Sequence, residues 1–115
     1  MHEASIAKAL LETILTETEK VGPHAVPATA TISCGTFDAV NDDLLQEAFA
    51  AAARDTTAEK TKLYISHIPV RAKCRNCEKL FNFDIASPAC PDCGSDFDLM
   101  PDHPLTLDEI EFETE

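Results

Sequence analysis

Apolar residues recur at three- and four-residue spacing at the start of the chain. Ile6, Leu10, Leu11, Ile14 and Leu15 form one stripe, with Lys8, Glu12, Thr16 and Glu19 mainly on the other side. That is the period of an amphipathic helix packed by one face. The helix begins almost at the first residue and stops at Lys20-Val21-Gly22-Pro23, where Gly supplies a left-handed cap and Pro cannot continue. From Ala25 to Ser33 the period falls to two, with Val26, Ala28, Ala30 and Ile32 on one face and Thr29, Thr31 and Ser33 on the other. This predicts a strand, and Pro27 places it at an edge or at a strand start. After a turn at Cys34-Gly35, Asn41 caps a second helix with Asp42 and Asp43 in its first turn. Its expected buried stripe is Leu44, Leu45, Ala48, Phe49 and Ala52, and it ends near Arg54.

Beyond a polar link at Thr56-Thr57, Leu63 to Val70 reads as a second strand whose regular pairing ends at Pro69. A last strand runs from Leu105 to Glu113, where Leu105 and Leu107 share a parity that Ile110 and Phe112 do not, so a bulge is expected near Asp108-Glu109. Between these strands lies a cysteine-bearing insertion. Two amphipathic helices need one apolar sheet face to cover. The expected fold is therefore α+β: a small three-stranded sheet with two helices on one face, plus an inserted zinc-ribbon module hanging from two neighbouring strands. The expected division is residues 1–70 with 104–115 in one unit and 71–103 in the other.

The insertion carries Cys74-Arg75-Asn76-Cys77, twelve residues, then Cys90-Pro91-Asp92-Cys93-Gly94-Ser95. Two Cys-x-x-Cys pairs at this separation bring Cys74, Cys77, Cys90 and Cys93 to the corners of a tetrahedron, the arrangement preferred by structural Zn²⁺. Gly94 can take positive φ and leave backbone amides pointing at the sulfurs. Iron is the rival, because Cys90-Pro91-Asp92-Cys93-Gly94 also looks like a rubredoxin knuckle. Disulfides fit poorly: Glu3 stands where a signal peptide has a basic region, and Lys8 and Glu12 interrupt the apolar run.

Charge narrows the partners. Nine basic residues face twenty-one acidic ones in 115, a net charge of −12, which repels the phosphates that nucleic-acid binders must neutralise. Arg71, Lys73, Arg75 and Lys79 form only a small local patch near the cysteines. No apolar run approaches the ~20 residues that span a bilayer. The expectation is a cytoplasmic protein with neither nucleic acid nor membrane as partner. No Ser-His-Asp arrangement, phosphate-binding loop or paired buried carboxylates stand out, so no enzyme is expected.

Met1-His2-Glu3 is a second candidate site. A free α-amine, the amide nitrogens after it and the Nδ1 of a second-position imidazole can close fused chelate rings around one ion in a plane, as Ni²⁺ and Cu²⁺ favour. A helix starting there lowers the affinity of the amine for its proton, which helps a metal compete near neutral pH. Glu3 adds a nearby carboxylate.

Met1-His2-Glu3, the apolar helix directly after it, and the late Cys74-x-x-Cys77 with Cys90-Pro91-x-Cys93-Gly94-Ser95 together resemble the HypA/HybF family of hydrogenase nickel-incorporation proteins. The resemblance covers essentially the whole chain. It implies a nickel metallochaperone: Met1, His2 and Glu3 hold Ni²⁺ as cargo, and the four cysteines hold structural Zn²⁺. It also implies delivery to the large subunit of [NiFe] hydrogenase in partnership with the GTPase HypB, with urease maturation served by some members. Glu78 stands where members usually have Gly, and Cys34-Gly35-Thr36-Phe37 departs from the Gly-Glu-Leu-Ser type of turn expected there. The alternative is a zinc-ribbon or rubredoxin-like module for assembly or electron transfer, with His2 incidental.

Of the remaining residues, Cys34 reads as a partly buried reduced thiol, with a metal ligand or reactive group as its functional alternative, and His24 as a solvated loop residue. His67 reads as a packing residue, with metal transfer as its functional alternative. His103, where the insertion rejoins the sheet, is a candidate transient nickel ligand. The acidic-apolar alternation over 108–115 reads as a strand with a solvated acidic face.

Overall fold

The computed structural model describes residues 3–37 and 39–114. In chain order the elements are α1 (Glu3–Val21), β1 (Ala25–Cys34), α2 (Asp42–Ala53), β2 (Lys62–His67), β3 (Arg71–Cys74), β4 (Leu80–Asn82), β5 (Phe97–Leu99) and β6 (Thr106–Thr114). They form two three-stranded sheets, ordered β2-β1-β6 and β4-β3-β5.

In the first sheet β1 is central, parallel to β2 and antiparallel to β6. A parallel pair cannot close through a hairpin, and α2 is the crossover. Pro27 sits two residues before the first pair with β2, Thr29 to Lys62, so it withholds no amide from that neighbour. β1 is thus an edge at its start and central thereafter. The insertion leaves from β2 and returns through β6, and these flank β1 rather than each other. The expectation that it hangs from neighbouring strands is corrected accordingly.

Both helices cover one face. Ala7, Leu10, Leu11 and Ile14 of α1 and Leu45, Phe49 and Ala53 of α2 share one buried core with Ala30, Ile32, Cys34 and Leu63. Asn41 caps α2 as expected, its side-chain oxygen accepting from the Leu44 amide at 3.0 Å. The stripe of α2 is narrower than the sequence suggests. It follows the four-residue line 45, 49, 53, so Leu44 is 52% exposed and Ala52 is exposed too, with Ala48 half-buried.

Two irregularities set the register of β1 and β6. One falls between Thr31 and Ile32, whose partners Glu109 and Leu107 skip Asp108. This is the expected bulge, and it lets Leu107 and Ile110 pack on the same core. The other leaves Ala28 without a β6 partner between Pro27 and Thr29. It reverses the parity of the strand start: Ala25 and Pro27 are buried, whereas Val26 and Ala28 are half-buried and do not continue the Ala30, Ile32 face.

The second sheet lies within the cysteine insertion and gathers a much smaller core of Ala72, Cys74, Phe81 and Cys90, with Phe83 and Phe97 against it. The three short strands had no signal in the sequence pattern. In the loop after β4, Ile85 is 84% exposed.

The loop after β1 fastens the two sheets together. The Asp102 carboxylate accepts from the amides of Thr36 and Phe37, both at 2.9 Å. The Thr36 hydroxyl donates to the Ile68 carbonyl at 3.2 Å and accepts from the Val70 amide at 3.0 Å. The Phe37 ring meets Phe83 at a centroid distance of 6.1 Å. A Cβ at Gly35 would overlap the Asp102 carboxylate, so the close approach requires glycine.

Asp102→Ala removes the acceptor of two loop amides and should lower the unfolding free energy by about 1–2 kcal/mol. The check is a urea titration followed by circular dichroism, and an unchanged midpoint contradicts the fastening role.

Candidate metal centre

Each Cys-x-x-Cys pair lies in a tight turn, and the two turns repeat the same bonding. Cys74 N–H donates to the Lys79 carbonyl at 3.0 Å and Cys90 N–H to the Ser95 carbonyl at 3.3 Å. The amides of Glu78 and Gly94 return to the carbonyls of Cys74 and Cys90 at 3.2 and 2.9 Å. The residue after each pair is left-handed, Glu78 at φ 62° and Gly94 at φ 71°. Gly94 does this without strain. Glu78 holds a conformation that disfavours a side chain, which explains why glycine suits the first turn as well.

The four sulfurs lie within 4.8 Å of one another. Sγ separations are 3.4 Å for Cys74 and Cys93, 3.6 Å for Cys77 and Cys90, and 3.9 Å for Cys77 and Cys93. A tetrahedron with ~2.3 Å metal–sulfur bonds has edges of about 3.8 Å, so the spacing fits a Cys₄ ion such as Zn²⁺. The surroundings fit as well, because the amides of Asn76 and Cys77 both point at Cys74 Sγ at 3.4 Å. Cys74 and Cys90 are buried, Cys77 and Cys93 exposed.

Without a cation, the crowded thiols of Cys77, Cys90 and Cys93 do not ionise alike. The hydroxyl and amide of Ser95 hold Cys93 down at about 6. Cys90 is opposed by burial yet lowered on balance by the amides of Cys93 and Asp92. For Cys77 the Lys79 amide pulls downward, but Cys74, burial and the other two sulfurs push it up to about 12. A divalent ion removes this mutual repulsion.

The basic patch is tied internally. Arg75 donates to Asp98 from Nε at 2.9 Å and from Nη2 at 2.7 Å, lowering the Asp98 carboxyl, and Lys79 pairs with Asp92 at 2.8 Å across the two turns. Two of its four cations thus have local carboxylate partners.

The other candidates fall as follows. Met1 and His2 lie outside the described residues. Glu3 opens α1, and its Oε2 accepts from the Asn41 amide at 3.0 Å, which sets the start of α1 against the start of α2. His24 is exposed. His103 Nε2 lies 2.8 Å from Ser33 Oγ, on the sheet face away from the helices. Cys34 is wholly rather than partly buried, its Sγ 3.4 Å from His67 Nδ1, and His67 Nε2 lies 2.7 Å from Asp42 Oδ1. The sequence placed Cys34 and His67 near strand ends. Their contact follows from the parallel register that pairs them, which no local pattern reveals.

A model of the family described as hydrogenase/urease nickel incorporation, metallochaperone, hypA matches residues 1–112. The hydrogenase maturation factor HypA of Aeromonas salmonicida (strain A449) is 32% identical over 94 residues, 82% of each chain. That of Geotalea uraniireducens (strain Rf4) is 29% identical over 114 residues, 98% of this chain and 100% of the relative. Among solved structures, the solution structure of the Ni metallochaperone HypA from Helicobacter pylori superposes with a TM-score of 0.65 at 20% identity, covering 100% of both chains, a likeness of fold.

Two outcomes are expected at this centre. Zinc uptake by the metal-free protein releases protons, because bound thiols must ionise. Cys93 is already a thiolate above its value of about 6 and adds a proton only below it. The number of protons released therefore rises, and zinc affinity falls, as pH drops through about 6, measurable by calorimetry in buffers of differing ionisation enthalpy. Glu78→Gly relieves the left-handed strain and should stabilise the metal-loaded protein by ~1 kcal/mol, read as a higher urea midpoint.

Proposed function

Because the chain belongs to the HypA family of hydrogenase/urease nickel-incorporation metallochaperones, we propose that it binds Ni²⁺ at Met1, His2 and Glu3 and delivers it during maturation of [NiFe] hydrogenase. Urease, the other enzyme in the family's description, is the second candidate recipient. The ligands are the Met1 α-amine, the backbone nitrogens that follow it and the His2 imidazole, a set that suits a square-planar ion. Such a ligand set can be dismantled one nitrogen at a time, which favours handover over storage.

The observation that carries this reading is the bond from the Asn41 amide to Glu3 Oε2. It anchors the residue next to His2, so that a carboxylate stands at a fixed place at the start of α1. The family match takes in Met1, His2 and Glu3. The division proposed is residues 1–70 with 104–115 for nickel and 71–103 for zinc, supported by two separate sheets and two separate cores. Zn²⁺ at Cys74, Cys77, Cys90 and Cys93 is a structural ion, since four protein thiolates leave no open position for substrate. The protein works in the cytoplasm without catalysing a reaction. Any nucleotide-driven step belongs to a HypB-like GTPase that docks near α1 and receives the ion before the hydrogenase large subunit does.

His2→Ala should remove the one equivalent of Ni²⁺ held at the N-terminus while leaving zinc content unchanged, and so should an N-terminal extension that turns the amine into an amide. Calorimetric titration showing undiminished nickel binding in either form contradicts the assignment. Nickel transfer to the purified GTPase should be faster in direct mixture than across a dialysis membrane, and equal rates would rule out docking.

A further inference from the structure

Three side chains from three elements meet at the α2 end of the first sheet, apart from the four-thiolate centre. Cys34 ends β1 and His67 ends β2, and the two are partners across the parallel pair, while Asp42 opens α2. His67 Nε2 lies 2.7 Å from Asp42 Oδ1. An ionised carboxylate can only accept, so Nε2 carries the proton, and the neutral ring turns its Nδ1 lone pair toward Cys34 Sγ, 3.4 Å away. A carboxylate behind a histidine, fixing the tautomer and leaving the other nitrogen free to donate, is how metal-binding histidines are commonly held.

The separation suits a shared ion. An ion ~2.3 Å from a thiolate and ~2.0–2.1 Å from an imidazole nitrogen in tetrahedral geometry spans an edge of about 3.5 Å, close to the distance found. One sulfur and one nitrogen select borderline transition ions over Mg²⁺ or Ca²⁺. Access is one-sided: Cys34 is wholly buried, whereas the His67 side chain is 42% exposed, so an ion reaches the sulfur by way of the ring.

We propose that Cys34 and His67, with Asp42 positioning the imidazole, form a second binding site for a divalent transition ion such as Ni²⁺ or Co²⁺. The protein supplies two donors and water the rest, so the site is weaker than the closed Cys₄ centre. On binding, two metal–ligand bonds form, two metal-bound waters leave, and the Cys34 thiol proton passes to solvent. The site neighbours the proposed cargo residues, since Asp42 follows Asn41, whose amide holds Glu3. That nickel is its natural ion rests on the nickel reading above, whereas the existence of the site does not.

The test uses the full chain, zinc-loaded and carrying His2→Ala, titrated with Ni²⁺ or Co²⁺ alone and followed by near-ultraviolet absorption and calorimetry. A thiolate-to-metal charge-transfer band should grow to one equivalent with release of one proton. It should vanish in Cys34→Ser and in His67→Gln, and Asp42→Asn should weaken binding about ten-fold or more. Zinc content and circular dichroism serve as the folding check, and His67→Gln, altered near the surface, carries the test if Cys34→Ser misfolds. Absence of the band in the zinc-loaded His2→Ala protein overturns the proposal, as does a band that survives Cys34→Ser, which would place the ion on the Cys₄ centre. Failure of the nickel reading looks different: the unsubstituted protein would show only the sulfur-containing site, with no equivalent dependent on His2.

Discussion

Parallel pairing of β1 with β2 is the constraint on which the placement of chemistry depends. Such a pair must be joined by a crossover, so the carboxyl ends of both strands and the amino end of α2 fall at one end of the sheet. In open sheets this is where ligands tend to be met. Cys34, His67 and Asp42 come together there, and the Asn41 amide brings Glu3 to the same place. Antiparallel β6 starts at that end too, since Thr106 pairs with Ser33. Both passes of the chain into the second sheet therefore leave from where the candidate metal ligands collect.

The two cores differ in what holds them. The first is a helix-covered sheet face with thirteen buried residues among those described, enough to resemble an ordinary small domain. The second has four, two of them cysteines, and its strands are three or four residues long. Burial on that scale does little against the entropy of ordering the segment, so an ion held by the four sulfurs would supply much of its stability. The matching bonds of the two turns show the backbone shaped around the sulfurs before any ion is counted.

Much of this was legible in the sequence because it is local. The spacing of Ile6, Leu10, Leu11 and Ile14, the Asn41 cap, the four cysteines and the parity slip that signals the Asp108 bulge are each readable within a few residues. What was not legible depends on partners distant along the chain. Pro27 marks a strand start, yet only the pairing shows that β1 becomes central two residues later. The stripe of α2 could not be fixed to 45, 49 and 53 without knowing that α1 and the sheet meet it from that side. Asp102 gave no sign that it would take two amides from a loop more than sixty residues earlier. Cys34 and His67 were weighed singly, since nothing local says that two strand ends face each other.

The loop of Gly35, Thr36 and Phe37 touches both passes at once, the outgoing one through Ile68 and Val70 and the returning one through Asp102. A module tied by one strand can swivel freely, whereas one yoked at two points to a common bar transmits torque. In a molecule 57 Å long and 15 Å thick, a small turn at the yoke becomes a wide sweep at the far tip. A protein that grips the insertion at the cysteine turns, where β3 ends away from the yoke, would therefore pull, with a lever's advantage, on the loop that directly follows Cys34.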